Sequence, residues 1–133
     1  MHPLFGPHSA ADGTDGHKLV VTLDHGGVKS RSLLDFCQNT LNLTISHMTA
    51  EEHDRIMARV HALTFFVARS LREMGIGDEV FMTPSYQSLL DLVARDQSQS
   101  DELFDTIQNG NPFAQEIREA FIHTVQALEE DIK

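Results

Sequence analysis

From Ile56 to Met74 the apolar residues Ile56, Met57, Val60, Leu63, Val67, Leu71 and Met74 recur three and four positions apart. That spacing lines one face of an α-helix and cannot serve a strand, whose faces alternate every second residue. A capping box, Thr49-Ala50-Glu51-Glu52, opens the helix, with the Thr49 hydroxyl placed to accept from the backbone amide of Glu52. Gly75-Ile76-Gly77 closes it. Thr83 then stands as a cap before Pro84 at a first helical position, and Leu89, Leu90, Leu92 and Val93 carry a helix to about Arg95. The polar stretch Gln97–Ser100 breaks the pattern. Ser100 caps a shorter helix bearing Leu103, Phe104 and Ile107, and Asn109-Gly110-Asn111-Pro112 stops it. A last amphipathic helix runs from about Phe113 to Ile132, with Ile117, Phe121, Val125 and Leu128 on one face. Residues 49–133 therefore read as one all-helical domain. Phe65 and Phe66 beside Leu63 and Val67 widen the apolar arc beyond what the surface helix of a monomer needs. A second subunit is the natural outlet for that surplus.

The first 48 residues have another character. Residues 1–17 hold two Pro, three Gly and three His without apolar period and read as a loop. Lys18–Leu23 is a short β-rich run and Asp24–Gly27 a turn. Ser30 opens a helix with Leu33, Leu34, Cys37, Leu41 and Leu43 in a stripe, and Asn42–His47 is a second β-branched run. Strand, helix and strand make an α/β fragment that cannot cover both faces of a sheet. The expected architecture is mainly α, with a short α/β tail at 1–48 before the helical domain at 49–133.

Charge and motifs narrow the chemistry. Twenty acidic against ten basic side chains leave a formal charge of −10, which argues against nucleic acid, whose phosphates demand clustered Lys and Arg. A dicarboxylate remains possible, because one or two placed Arg residues suffice to hold it. Cys37 is the only cysteine, so no internal disulfide can form and a reduced, cytoplasmic setting is expected. No apolar run approaches the roughly 18 residues of a membrane span, and no secretion signal is visible. Eight His invite a metal reading, yet there is no HExxH and no His pair four apart on a helix, so no metal is expected. His8, His17, His25 and His123 read as solvated loop or surface histidines. Neither GxGxxG nor GxxxxGK[ST] occurs, so nothing here cradles a dinucleotide.

Three segments carry a resemblance. His2-Pro3-Leu4-Phe5-Gly6-Pro7 is similar to the HPMFGP-type loop of prephenate dehydrogenases. Glu51-Glu52-His53-Asp54, after a short strand, resembles that family's EHD helix start, which opens its dimerisation region. Leu92-Val93-Ala94-Arg95, followed eight residues on by Leu103-Phe104, resembles its small-residue–Arg motif. Their order and approximate separations agree over essentially the whole chain.

The resemblance implies the C-terminal part of an enzyme of tyrosine biosynthesis that oxidatively decarboxylates prephenate or arogenate. It implies NAD or NADP as cofactor, bound mainly by a domain absent from this chain, of which residues 1–48 are the tail. It also implies a homodimer through the helical region. His2 takes the catalytic role, accepting the hydroxyl proton as hydride leaves the same carbon. Arg95 and His53 are the substrate-binding residues, Arg95 through a carboxylate. Where many relatives carry a His twelve residues after the EHD histidine, this chain has Phe65, which leaves prephenate against arogenate open. Two rivals stand beside this reading. One is a free-standing helical dimeric module that binds an aromatic-pathway ligand or regulates; the other is an all-helical mutase, disfavoured because only Arg95 is well placed among the cations such a site needs.

Overall fold

The computed structural model describes residues 1–6, 9–23 and 26–132. Pro7 of the hexapeptide, His8, His25 and the first half of the turn expected at Asp24–Gly27 lie outside the described residues. The fold is mainly helical, with a three-stranded sheet near the N-terminus. The chain divides into two compact units, Met1–His53 and Asp54–Lys133.

The first unit contains β1 (His2–Pro3), β2 (Lys18–Val21), α1 (Val28–Asn39) and β3 (Thr44–His47). Strand β2 is central. It runs parallel to β3 in the register Lys18↔Thr44 to Val21↔His47, and antiparallel to β1 with His2 opposite Val20. Parallel neighbours need a crossover, which α1 supplies. Leu19, Val20 and Val21 are all buried, as befits a central strand covered on both faces. Leu19 packs with Cys37 and Leu43, and Phe5, Leu34, Leu41 and Ile45 close around them.

Residues 1–17, expected as loop throughout, instead begin with a strand. Two residues are too few for alternation to show, and the pairing depends on β2, extended by a bond from the Leu4 amide to the Lys18 carbonyl at 2.9 Å. Helix α1 starts two residues before Ser30, from Gly27, whose missing side chain gives no cap bond. It ends at Asn39, so Leu41 and Leu43 reach the core from the connection beyond it, bent at Asn42 with φ 56°. Asparagine tolerates that left-handed conformation better than most residues. The second strand accordingly begins at Thr44.

The capping box forms as expected. The Glu52 amide donates to the Thr49 hydroxyl at 3.1 Å, and Glu52 Oε2 accepts from the Thr49 amide at 2.8 Å. From it run α2 (Ala50–Met57), a π-helical stretch (Ala58–Leu63) and α3 (Thr64–Glu73). Gly75, at φ 75°, ends the run in the left-handed cap conformation. Then follow α4 (Pro84–Gln97), α5 (Asp101–Gly110) and α6 (Ala114–Ile132). Thr83 and Ser100 accept from the amides of Tyr86 and Leu103, as their cap positions predict.

The π-helical stretch is the departure from the expected regular helix. A π-turn shifts the backbone pairing by one residue and leaves a carbonyl to be met otherwise. Side chains bond to carbonyls of this stretch: Thr64 donates Oγ1 to the Val60 carbonyl at 2.9 Å, and Gln108 of α5 donates Nε2 to the Ala62 carbonyl at 2.8 Å. Arg118 of α6 in turn donates to both the backbone and side-chain oxygens of Gln108 at 2.9 Å. Ala58 and Ala62, both buried, let neighbouring helices approach here.

The interior of the second unit is built of small side chains, with Ala58, Ala62, Ala68, Ala114, Val93 and Met57 as its buried apolar residues. Larger ones stay outside: Ile56, Val60, Val80, Phe81, Ile122, Val125 and Leu128 are exposed, Phe81 by 93%.

Candidate functional site

Of the predicted site residues, the first unit brings two together. Strand pairing fixes the backbone of His2 opposite Val20. His53 sits one turn past the capping box, its amide donating to the Thr49 carbonyl at 3.0 Å. The two imidazoles meet with His2 Nδ1 and His53 Nε2 2.8 Å apart, a hydrogen bond, and with ring centroids at 5.0 Å and planes at 70°. Burial holds His2 below its ordinary value of 6.5, and His53 and the N-terminal amine push in the same direction. These effects favour the neutral form of His2, in which one ring nitrogen keeps a lone pair.

His17 is more engaged than a solvated loop histidine. Its ring stacks on Phe5 with centroids 4.8 Å apart, and its Nε2 lies 2.9 Å from the Ser9 carbonyl. This contact braces the segment that follows His2. The reading of His123 as solvated agrees with its exposure on α6.

In the second unit Arg95 is exposed in the last turn of α4, and no ion pair among the described residues engages it. Its neighbour Asp96 points elsewhere, since successive helical residues differ by about 100° in direction. Asp96 is buried, and its Oδ2 accepts from Arg69 Nε and Arg72 Nη1, each at 3.0 Å. Arg69 also reaches Asp101 at 2.9 Å and lies over the Phe104 ring at 4.2 Å. The cluster ties α3 to the end of α4 and the start of α5, and so sets the turn of helix that presents Arg95. Sequence reasoning missed it, because an aspartate one residue from a helix end reads as a solvated charge. Phe65, at the position where many relatives carry His, packs edge-on against His61 with centroids at 4.8 Å.

A cavity of about 360 Å³ also opens in this unit, with Arg55, Ile56, Arg59 and Val60 on one wall and Phe113, Glu116 and Ile117 on the other. Arg55 lies over the Phe113 ring at 4.1 Å. None of the predicted site residues lines it.

The chain does not fit a dinucleotide. Its strand-to-helix junction from β2 to α1 carries Gly26 and Gly27 but continues Val28-Lys29-Ser30, without the spaced third glycine that lets a helix N-terminus seat a pyrophosphate. No described helix is long and apolar enough to cross a membrane.

Comparison with known proteins bears on the whole chain. It is 32% identical over 142 residues to a protein of Methanocaldococcus jannaschii named "Probable arogenate/prephenate dehydrogenase", covering 99% of this chain and 31% of that protein. It is 28% identical over 138 residues to "Arogenate dehydrogenase 2, chloroplastic" of Arabidopsis thaliana, covering 98% and 38%. The chain thus spans about a third of the length of these relatives. Residues 49–133 match the family described as "Prephenate dehydrogenase, dimerization domain". With its helical section wholly inside that match, this chain belongs to the prephenate dehydrogenase family, of which it is a C-terminal part.

Proposed function

We propose that this chain supplies the substrate side and the subunit contacts of a dehydrogenase that oxidatively decarboxylates prephenate or arogenate on the way to tyrosine. The observation that carries the reading is the pairing of His2 with His53, which joins two of the resembling motifs at one point. A neutral imidazole there can accept the ring hydroxyl proton while hydride departs from the same carbon. Carbon dioxide loss then makes the ring aromatic and returns the proton to the phenolic oxygen, so the base ends as it began. Arg95 holds a substrate carboxylate, for which an exposed guanidinium with no ion-pair partner among the described residues is suited. NAD or NADP would be held mainly by residues outside this chain and would supply the hydride acceptor there. Alone, the 133 residues transfer no hydride.

The helical unit pairs with a second copy of itself. The large apolar side chains left exposed on α2, the Gly75–Thr83 connection and α6, against an interior made mostly of alanine, support this. Sedimentation at micromolar concentration should give a dimer; a clean monomer would overturn it.

The kinetic test is made in the full-length protein. His2→Asn should lower kcat by about 10²–10⁴ with little effect on KM. Arg95→Gln should mainly raise KM, by the equivalent of about 2–5 kcal/mol if the ion pair it forms with substrate is desolvated. Wild-type kinetics in both variants, with prephenate and with arogenate, would leave a binding or regulatory module as the better reading.

A further inference from the structure

The 2.8 Å separation between His2 Nδ1 and His53 Nε2 constrains where the protons sit. Two neutral imidazoles joined at these nitrogens share one proton, carried either by His2 Nδ1 or by His53 Nε2. If His53 carries it, His2 must hold its own proton on Nε2 and faces any ligand as a donor. If His2 carries it on Nδ1, its Nε2 is bare and can act as a base. We propose that His53 is a positioning residue whose Nε2 accepts from His2 Nδ1–H, fixing His2 in the tautomer that leaves Nε2 ready to take the substrate hydroxyl proton. This rests on the dehydrogenase reading above and assigns His53 a role other than contact with substrate.

Several features make the arrangement more than a chance contact. Both partners are held by backbone. His2 lies in a strand paired to β2, and His53 lies in the first turns of a helix locked by the Thr49–Glu52 box. With the nitrogens 2.8 Å apart and the centroids 5.0 Å apart, the rings meet nitrogen to nitrogen with their planes twisted by 70°, so an in-plane N–H of one can aim at the in-plane lone pair of the other. The lock also opposes an intrinsic bias, because an unconstrained neutral histidine favours the proton on Nε2. When His2 accepts a proton at Nε2, its Nδ1–H becomes the donor of a cation and the bond to His53 strengthens. The charge that develops during reaction is thereby met by a group already in place, with no rearrangement.

The test reads the tautomer directly. Long-range ¹H–¹⁵N NMR of the imidazoles in this chain, at a pH where both rings are neutral, should show His2 protonated on Nδ1 and bare on Nε2. In His53→Gln, whose amide oxygen can accept the same proton, the His2 tautomer should persist. In His53→Leu it should move to Nε2–H. In the full-length enzyme, His53→Leu should lower kcat about 10-fold or more, bounded by the 10²–10⁴ of the base itself, with KM little changed. His53→Gln should recover most of that loss. Nε2–H on His2 in the native chain, or a tautomer indifferent to His53→Leu, would overturn the proposal whatever the kinetics. If instead the tautomer follows as described while His2→Asn leaves turnover unaltered, the lock stands and the dehydrogenase reading falls.

Discussion

Replacing Asp96 with alanine removes a carboxylate that is fully enclosed and serves two guanidinium groups at once. Its Oδ2 accepts from Arg69 Nε and Arg72 Nη1, both at 3.0 Å. Removing one member of a buried ion pair costs about 3–5 kcal/mol, chiefly because the opposite charge is left without compensation. Here the cations are not fully buried, with side chains 16% and 26% exposed, so water can reach them in part. Arg69 also keeps its contact with Asp101. A further discount comes from Asp96 Oδ1, which is buried without a hydrogen-bond partner and whose cost the substitution removes. These corrections place the expected loss at the low end, about 3 kcal/mol. For a unit of this size that corresponds to a fall in Tm of roughly 12–24 °C. Asp101→Asn provides the control. Its side chain is 87% exposed, and an exposed pair contributes under about 1 kcal/mol. Urea unfolding followed by far-ultraviolet circular dichroism measures both variants. If Asp96→Ala lost no more than Asp101→Asn, the cluster would be an incidental contact and the argument for its bracing role would be refuted.

Two further outcomes follow from the same geometry. Gln108→Leu should cost about 2–3 kcal/mol, because it removes the buried donor to the Ala62 carbonyl and takes one acceptor from Arg118; denaturant midpoints unchanged from the native chain would show that the π-helical stretch needs no such support. For His2, the folded state holds the imidazole below 6.5, so the unfolded chain binds the proton more readily. Stability from this source is complete above about pH 6.5, is lost as pH falls from there through the lower folded value, and then levels. His2→Asn should flatten that slope in unfolding measured across the window, and an unchanged slope would mean that another group sets it.

Four boundaries of the helical domain were legible because their signals are local, whereas the start of α1 at Val28, from a glycine with no cap bond, was not. Thr49 with Glu52, Thr83 with Pro84, Ser100 and Gly75 each act within one turn of chain, and the structure places a helix end at every one of them. What sequence could not show depends on partners far along the chain. The strand at His2–Pro3 exists only through Lys18–Val21. The widened turn at Ala58–Leu63 is matched to Gln108, 46 positions beyond Ala62. Asp96 is buried only because Arg69 and Arg72 come from the helix before.

The candidate site divides along the same line. His2, His53 and Arg95 could be picked out because the motifs around them resemble a family pattern, and a motif is a local string. The relation between His2 and His53 is not local, since 51 positions and a whole strand–helix–strand unit lie between them. Yet in the proposed reading that relation sets which nitrogen of His2 is left bare. A histidine alone is a donor or an acceptor with no preference that serves catalysis, and only a fixed second group makes it one or the other. The α/β tail is what brings the two residues together. By pairing β1 with β2 and running on through β3 into the capped helix, it carries the backbone of His2 and of His53 to where their ring nitrogens lie 2.8 Å apart.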